Sequence, residues 1–135
     1  MDVNEALEFA RQNHRCFLVT RRRDDSLQTS PSTVVARGDQ LWISSRETAF
    51  KVRNLRRDPS VTVTIVSDGW YGPWVQVDGT AEILSLPDAM EALVEYYRLA
   101  AGEHEDWDDY RRAMTEDQRV VIAVAPQRAG PDLSG

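Results

Sequence analysis

The sequence predicts a mainly β domain: six short strands closed into a small antiparallel barrel, with four helices on its outside. Three observations carry this. Apolar, β-branched runs recur at 16–20, 27–36, 41–44, 61–66, 74–84 and 120–125. Turn residues separate most consecutive runs: Asp24-Asp25-Ser26, Gly38-Asp39 and Asp68-Gly69. Tight turns imply antiparallel neighbours and exclude parallel crossovers. Between and around the strands lie stretches with helical periodicity, which suit a barrel whose helices flank it.

At the N-terminus, Val3, Ala6, Leu7 and Ala10 follow the i, i+3, i+4, i+7 rule, so 3–13 is an amphipathic helix, with Asp2 placed to cap it. The second strand contains Pro31, which cannot donate to a ladder, so an edge, a bulge or a ligand is expected there. Val61, Val63 and Ile65 alternate with Thr62 and Thr64, the pattern of a half-buried strand. In 74–84, Val75, Val77 and Ala81 share one face, and Gly79 predicts a bulge or a close backbone approach. Pro87 is expected to open a helix bearing Met90, Leu93, Val94 and Tyr97 on one stripe, stopped by Gly102. Trp107, Tyr110 and Met114 make a shorter helical stripe. A single domain over 1–135 follows, with a Gly-, Pro- and Ser-containing tail from about 127 expected to be loose.

Composition narrows the function classes. The chain has 41% hydrophobic and 28% charged residues, ordinary globular usage. No apolar run approaches the roughly 18 residues that span a bilayer, and the first residues do not have the pattern of a signal peptide. A cytoplasmic protein without membrane partners is the expectation. The net charge of −6 argues against a nucleic-acid partner. The basic clusters Arg21-Arg22-Arg23 and Arg53 to Arg57 suit a small anion better than a polynucleotide. One cysteine, Cys16, excludes an internal disulfide, and metal-ligand spacings are absent. His14 and His104 are isolated, and neither a Ser/His/Asp constellation nor a Gly-rich phosphate loop occurs, so no catalytic side chain is expected.

The one unusual cation is Lys51, the only lysine beside 15 arginines. On a helix, Thr48, Lys51, Val52 and Leu55 share one side, while Arg53, Arg56 and Arg57 take the other. An ammonium among apolar neighbours either meets an anion or snorkels its head to water. The preceding strand ends in Ser44-Ser45, and hydroxyls, a helix start and a convergent lysine together suit a phosphate.

The stretch Lys51-Val52-Arg53-Asn54-Leu55-Arg56-Arg57-Asp58-Pro59, followed by alternating valines at 61–66, resembles a signature of the pyridoxamine 5'-phosphate oxidase-like superfamily. Trp74-Val75-Gln76-Val77-Asp78-Gly79-Thr80 and Tyr96-Tyr97-Arg98-Leu99-Ala100 extend the resemblance to about residues 5–125. Within it, the wording is most similar to the branch that uses the deazaflavin coenzyme F420. The resemblance implies the six-stranded FMN-binding split β-barrel and a homodimer with cofactor sites between subunits. It also implies hydride transfer between reduced F420 and a small unsaturated molecule. The alternatives are an FMN-dependent oxidase of the pyridoxamine 5'-phosphate type and a non-catalytic cofactor-binding protein.

The resemblance further implies a placement. The coenzyme phosphate would meet Ser44, Lys51 and Asn54, and the ring would lie along Gln28, Ser30 and Ser32. Arg53 would meet the coenzyme's acidic tail, and Trp74 and Gln76 of the second subunit would close the pocket. Relatives often carry a second basic residue just before the lysine; here Ala49 and Phe50 stand there.

Overall fold

A closed barrel of six antiparallel strands forms the body of the molecule, in the spatial order β1-β2-β3-β6-β5-β4. The structure, a computed structural model, describes residues 1–131. In chain order the strands are β1 (Arg15–Arg21), β2 (Leu27–Arg37), β3 (Gln40–Arg46), β4 (Ser60–Val66), β5 (Trp74–Leu84) and β6 (Arg119–Gly130). The helices are α1 (Val3–Gln12), α2 (Phe50–Arg57), α3 (Met90–Ala101) and α4 (Trp107–Glu116). No helix among the described residues is long and apolar enough to cross a membrane.

Alternation along the strands sorts side chains into two cores. Inside the barrel lie Leu18, Val34, Ile43, Val63, Ile65 and Ile122, joined by Ala6, Leu7 and Ala10 of α1 and by Val52 and Leu55 of α2. A smaller core joins α3 and α4 to the barrel, with Leu93, Val94 and Tyr110 packing on Val121 and Trp42. Asp2 caps α1 by accepting from the Glu5 backbone N–H at 2.8 Å, as its position predicts.

Gly79 marks both features expected of it. The β5–β6 register shifts between Asp78 and Gly79, and a Cβ on Gly79 would sit 2.4 Å from the Ala125 carbonyl oxygen. Pro31 does not interrupt β2. It pairs opposite Phe17 of β1, while β2 pairs with β3 only over residues 34–37. Of the options the sequence left open, an edge is the one found: over 27–33, no ladder to β3 exists that proline could break.

Two boundaries differ from expectation. The tail does not come loose at 127: residues 128–130 pair with Gln76, Val77 and Asp78, because the bulge at Gly79 lets β6 continue past Pro126. Residues 132–135 lie outside the described part. The helix expected from Pro87 begins at Met90, after a turn over 86–89.

Candidate functional site

The opening in the β2–β3 ladder is held by a tyrosine. The last pair is Val34 with Ile43. One step beyond, the Tyr96 hydroxyl donates to the Thr33 carbonyl at 2.7 Å, and the Ser44 backbone reaches the same hydroxyl. Tyr96 follows the buried Leu93 and Val94 on α3, so the packing of that helix delivers the hydroxyl to the gap. A side chain thus serves backbone groups that a continued ladder would have paired. Burial pushes the Tyr96 phenol above its ordinary pKa.

Lys51 enters this gap from the first turn of α2. Its Nζ donates to the Ser32 hydroxyl at 3.3 Å. Burial lowers the Lys51 pKa, the neighbouring Cys16 opposes that shift, and Arg119 adds to it. Ser32, Ser44, Lys51 and Arg119 form the polar side of an open cleft of about 490 Å³. Tyr97, Tyr110 and Met114 contribute its apolar wall. Among the described residues, two cations line the cleft and no carboxylate does. Cys16, buried opposite Ser32, is a small core residue whose thiol burial pushes up to about 12.

Asn54 does not join Ser44. It is only 6% exposed, and its amide donates to the Thr20 hydroxyl at 3.1 Å and to Gln28 Oε1 at 2.9 Å. Being three residues on from Lys51 turns it toward the barrel, where it ties α2 to β1 and β2. Gln28, Ser30 and Ser32 share one face of β2, alternating with exposed Thr29 and Pro31. The outer two are engaged by Asn54 and Lys51; the Ser30 hydroxyl between them is buried without a partner.

Arg53 lies outside the cleft. Its guanidinium stacks over the exposed Phe50 ring, 5.8 Å from the centroid. With Arg22, Arg23 and Arg57 it borders a second, basic opening of about 450 Å³. Trp74 and Gln76 open β5 in a third region, beside Asp78 and Arg128. Asp78 accepts from the Thr62 hydroxyl at 2.6 Å and from Arg128 at 2.6 and 3.1 Å, and these bonds lower its carboxyl pKa. One chain therefore brings together Ser32, Ser44 and Lys51 in this cleft, and Gln28, Arg53 and Asn54 around the second, basic opening. It keeps Arg53, Trp74 and Gln76 apart from that cleft. Sequence reasoning missed Tyr96 and Arg119 as cleft residues. Tyr96 lay within a stretch noted for its resemblance, but nothing local separates an arginine at a strand start from a surface one. Among the described residues no group of three His, Cys, Asp or Glu side chains is arranged to hold a metal.

Several solved structures share the fold. A conserved hypothetical protein from Mycobacterium tuberculosis superposes with a TM-score of 0.77 at 21% identity, covering 100% of this chain and 92% of its own. An F420 reductase superposes at 0.70 with 21% identity, covering 91% and 94%. A heme-binding protein from Mycobacterium smegmatis superposes at 0.72 with 19% identity, covering 94% of this chain and 52% of its own. At these identities the likeness is one of architecture. The family is carried by the sequence itself: residues 3–130, the whole barrel with its helices, match the pyridoxamine 5'-phosphate oxidase family, and the chain belongs to it.

Proposed function

We propose that the protein is an oxidoreductase that transfers hydride between reduced coenzyme F420 and a small unsaturated molecule. The carrying observation is the half-buried ammonium of Lys51 in a cleft at the split of the barrel that no carboxylate of the described residues lines, with Ser32 and Ser44 beside it. That donor set fits a phosphate, because an anion relieves the desolvation that depresses Lys51. Among the described residues the cleft is lined by no carboxylate, histidine or cysteine, which suits a coenzyme that carries the redox chemistry itself. A deazaflavin supplies a hydride and reacts poorly with oxygen, because carbon replaces the reactive nitrogen of the flavin central ring.

The chain's own part is binding and orientation. Lys51 and the Ser44 hydroxyl hold the phosphate. The unpaired edge of β2 along Gln28, Ser30 and Ser32 takes the polar rim of the ring. Arg53, at the second opening, faces the acidic tail. Trp74 and Gln76 close the pocket from the second subunit of a homodimer. The dimer is supported by apolar groups left bare: Phe17 on the outer face of β1, with Trp70 90% and Tyr71 96% exposed on the β4–β5 connection. Sedimentation is expected to show a dimer, and a stable monomer would remove the second-subunit residues from the pocket.

Titration with F420 and with FMN separates this reading from the FMN-dependent oxidase, which membership of the family favours. Turnover of the reduced coenzyme with quinones, tetrapyrroles and enones separates an enzyme from a cofactor carrier, the reading the heme-binding relative favours. Lys51→Ala is expected to weaken coenzyme binding about ten- to a hundredfold, roughly 1.5–3 kcal/mol for a charge-assisted hydrogen bond. Arg56→Ala, on the far side of α2 and paired with Glu47, is the control. Equal losses at the two positions would mean general electrostatic attraction and would end the case for a specific phosphate site.

A further inference from the structure

Lys51 does not face the cleft alone. Arg119 opens β6, in register with Arg46 of β3, and it lines the same cleft as Lys51, Ser32 and Ser44. Its Nε is buried and has no hydrogen-bond partner among the described residues. Asp117 stands 3.6 Å from that nitrogen, an ion pair beyond hydrogen-bond distance. Arginine carries five N–H donors in a planar fork, so a buried, unmatched Nε is an open valence of a kind native proteins seldom leave. Two cations in a partly desolvated cleft that no carboxylate of the described residues lines repel one another, and Arg119 adds to the lowering of the Lys51 pKa that burial chiefly causes.

We infer that Arg119 is the second cation of the anion site, so that a phosphoryl group is gripped between Lys51 from α2 and Arg119 from β6. The division of labour is chemical. Lysine brings a compact point charge on a flexible stem, whereas arginine brings an oriented fork that matches two phosphate oxygens. The two side chains come from elements on either side of the β2–β3 opening. An anion held by both would lie beside the split that the Tyr96 hydroxyl bridges. The ligand class is a phosphate monoester or a diphosphate. This inference specifies the phosphate site on which the proposed coenzyme binding rests.

The test uses the fact that Lys51 is the only lysine. Isotopic labelling of lysine in the full chain gives one side-chain resonance, read directly by NMR. Pyrophosphate titrated into the wild type should move that resonance saturably. Arg119→Gln should weaken the apparent affinity by ten-fold or more and, without ligand, should raise the pH at which Lys51 titrates. Arg119→Lys, which keeps charge but loses the fork, should recover part of the affinity. Arg15→Gln makes the same charge change at an exposed position beside Asp68 and should leave pyrophosphate affinity within about two-fold, the scale of screened surface charge. Thermal unfolding of each variant shows that the fold is retained. No saturable shift in the wild type, no weakening by Arg119→Gln, or equal weakening by Arg15→Gln would each overturn the inference. Parallel titrations with F420 and FMN keep the two ideas distinct. An intact pyrophosphate site that takes neither coenzyme sinks only the functional reading. Coenzyme affinity that ignores Arg119 sinks only this inference.

Discussion

The two halves of β2 obey different rules. Residues 34–36, Val-Val-Ala, are buried on both faces and pair with β3, beyond the end of the β1 ladder at Thr33. Residues 27–33 pair only with β1 and alternate between exposed positions and the half-buried Gln28, Ser30 and Ser32. A strand buried on both faces stabilises the barrel by apolar area and has nothing to offer a ligand. A strand with one free edge and a row of small polar side chains has backbone groups and hydroxyls to spare. The change from one regime to the other falls between Thr33 and Val34, where the Tyr96 hydroxyl stands. The same strand thus anchors the fold with one end and builds the cleft with the other.

The largest effect expected from this contrast is on the packed half. Ile43 lies opposite Val34, with no exposed surface. Ile43→Ala should destabilise the protein by about 2–5 kcal/mol, the usual range for truncating a buried aliphatic side chain. Chemical denaturation measures it. A loss below 1 kcal/mol would mean that the paired half of the barrel is not the mechanical anchor described here.

The next effect is one of pH and concerns the boundary between core and cleft. Cys16 ionises near 9.0 when unfolded but is held neutral up to about 12 in the fold, chiefly by burial. A raised folded pKa means that the native state holds its proton when the unfolded chain has lost it. Its contribution is therefore full below pH 9 and declines as pH rises from 9 towards 12. Lys51 has the opposite sign: its folded pKa lies below 10.5, so stability from this group rises with pH as that ordinary value is approached. Comparing denaturation midpoints of wild type and Cys16→Ala between pH 7 and 11 isolates the thiol. The gap between them should shift in favour of the alanine variant above pH 9, and a constant gap would contradict the burial assigned to Cys16.

A smaller effect is expected at the boundary itself. Tyr96→Phe removes the hydroxyl that serves Thr33 and Ser44, for a cost of about 0.5–1.5 kcal/mol, the scale of one hydrogen bond. The more telling readout is amide hydrogen exchange. Protection at Ser44 should fall while protection at Ile43, inside the ladder, holds. Equal loss at both would mean that Tyr96 is simply part of the core.

The sequence made most of this architecture legible, because period-two alternation, helical stripes and Gly/Asp turns are local signals. Asp2 as a cap and Gly79 as a bulge were readable for the same reason. The split was only half visible. Pro31 left an edge, a bulge or a ligand open, since pairing is decided by residues far along the chain. Tyr96 stands 63 positions from the carbonyl it satisfies, and no local pattern carries that distance. Arg119 hides for a related reason: that its Nε is buried without a hydrogen-bond partner among the described residues is a property of the folded cleft. Asn54 shows what a resemblance leaves open about a side chain. It sits on the expected helix, but its amide is already engaged by Thr20 and Gln28.

The smallest expected effect sharpens the comparison most. Ser30 sits in the open half of β2, between two positions that α2 ties down, and its hydroxyl is buried with no partner. In a region built only for stability, such a group is a defect: an unmatched buried hydroxyl forfeits its bonds to water for nothing. Ser30→Ala should then leave stability within about 0.5 kcal/mol of wild type or raise it, since removing an unsatisfied polar group is nearly neutral or favourable. In a region built for a ligand, the same hydroxyl is a reserved donor, and the variant should bind coenzyme less tightly, by up to about ten-fold for one neutral hydrogen bond. Denaturation and coenzyme titration on one variant therefore read the two roles separately. Unchanged stability with weakened binding assigns Ser30 to the ligand face of β2. A clear loss of stability would place its hydroxyl in a structural bond instead, and the open half of the strand would then differ from the packed half in pairing alone.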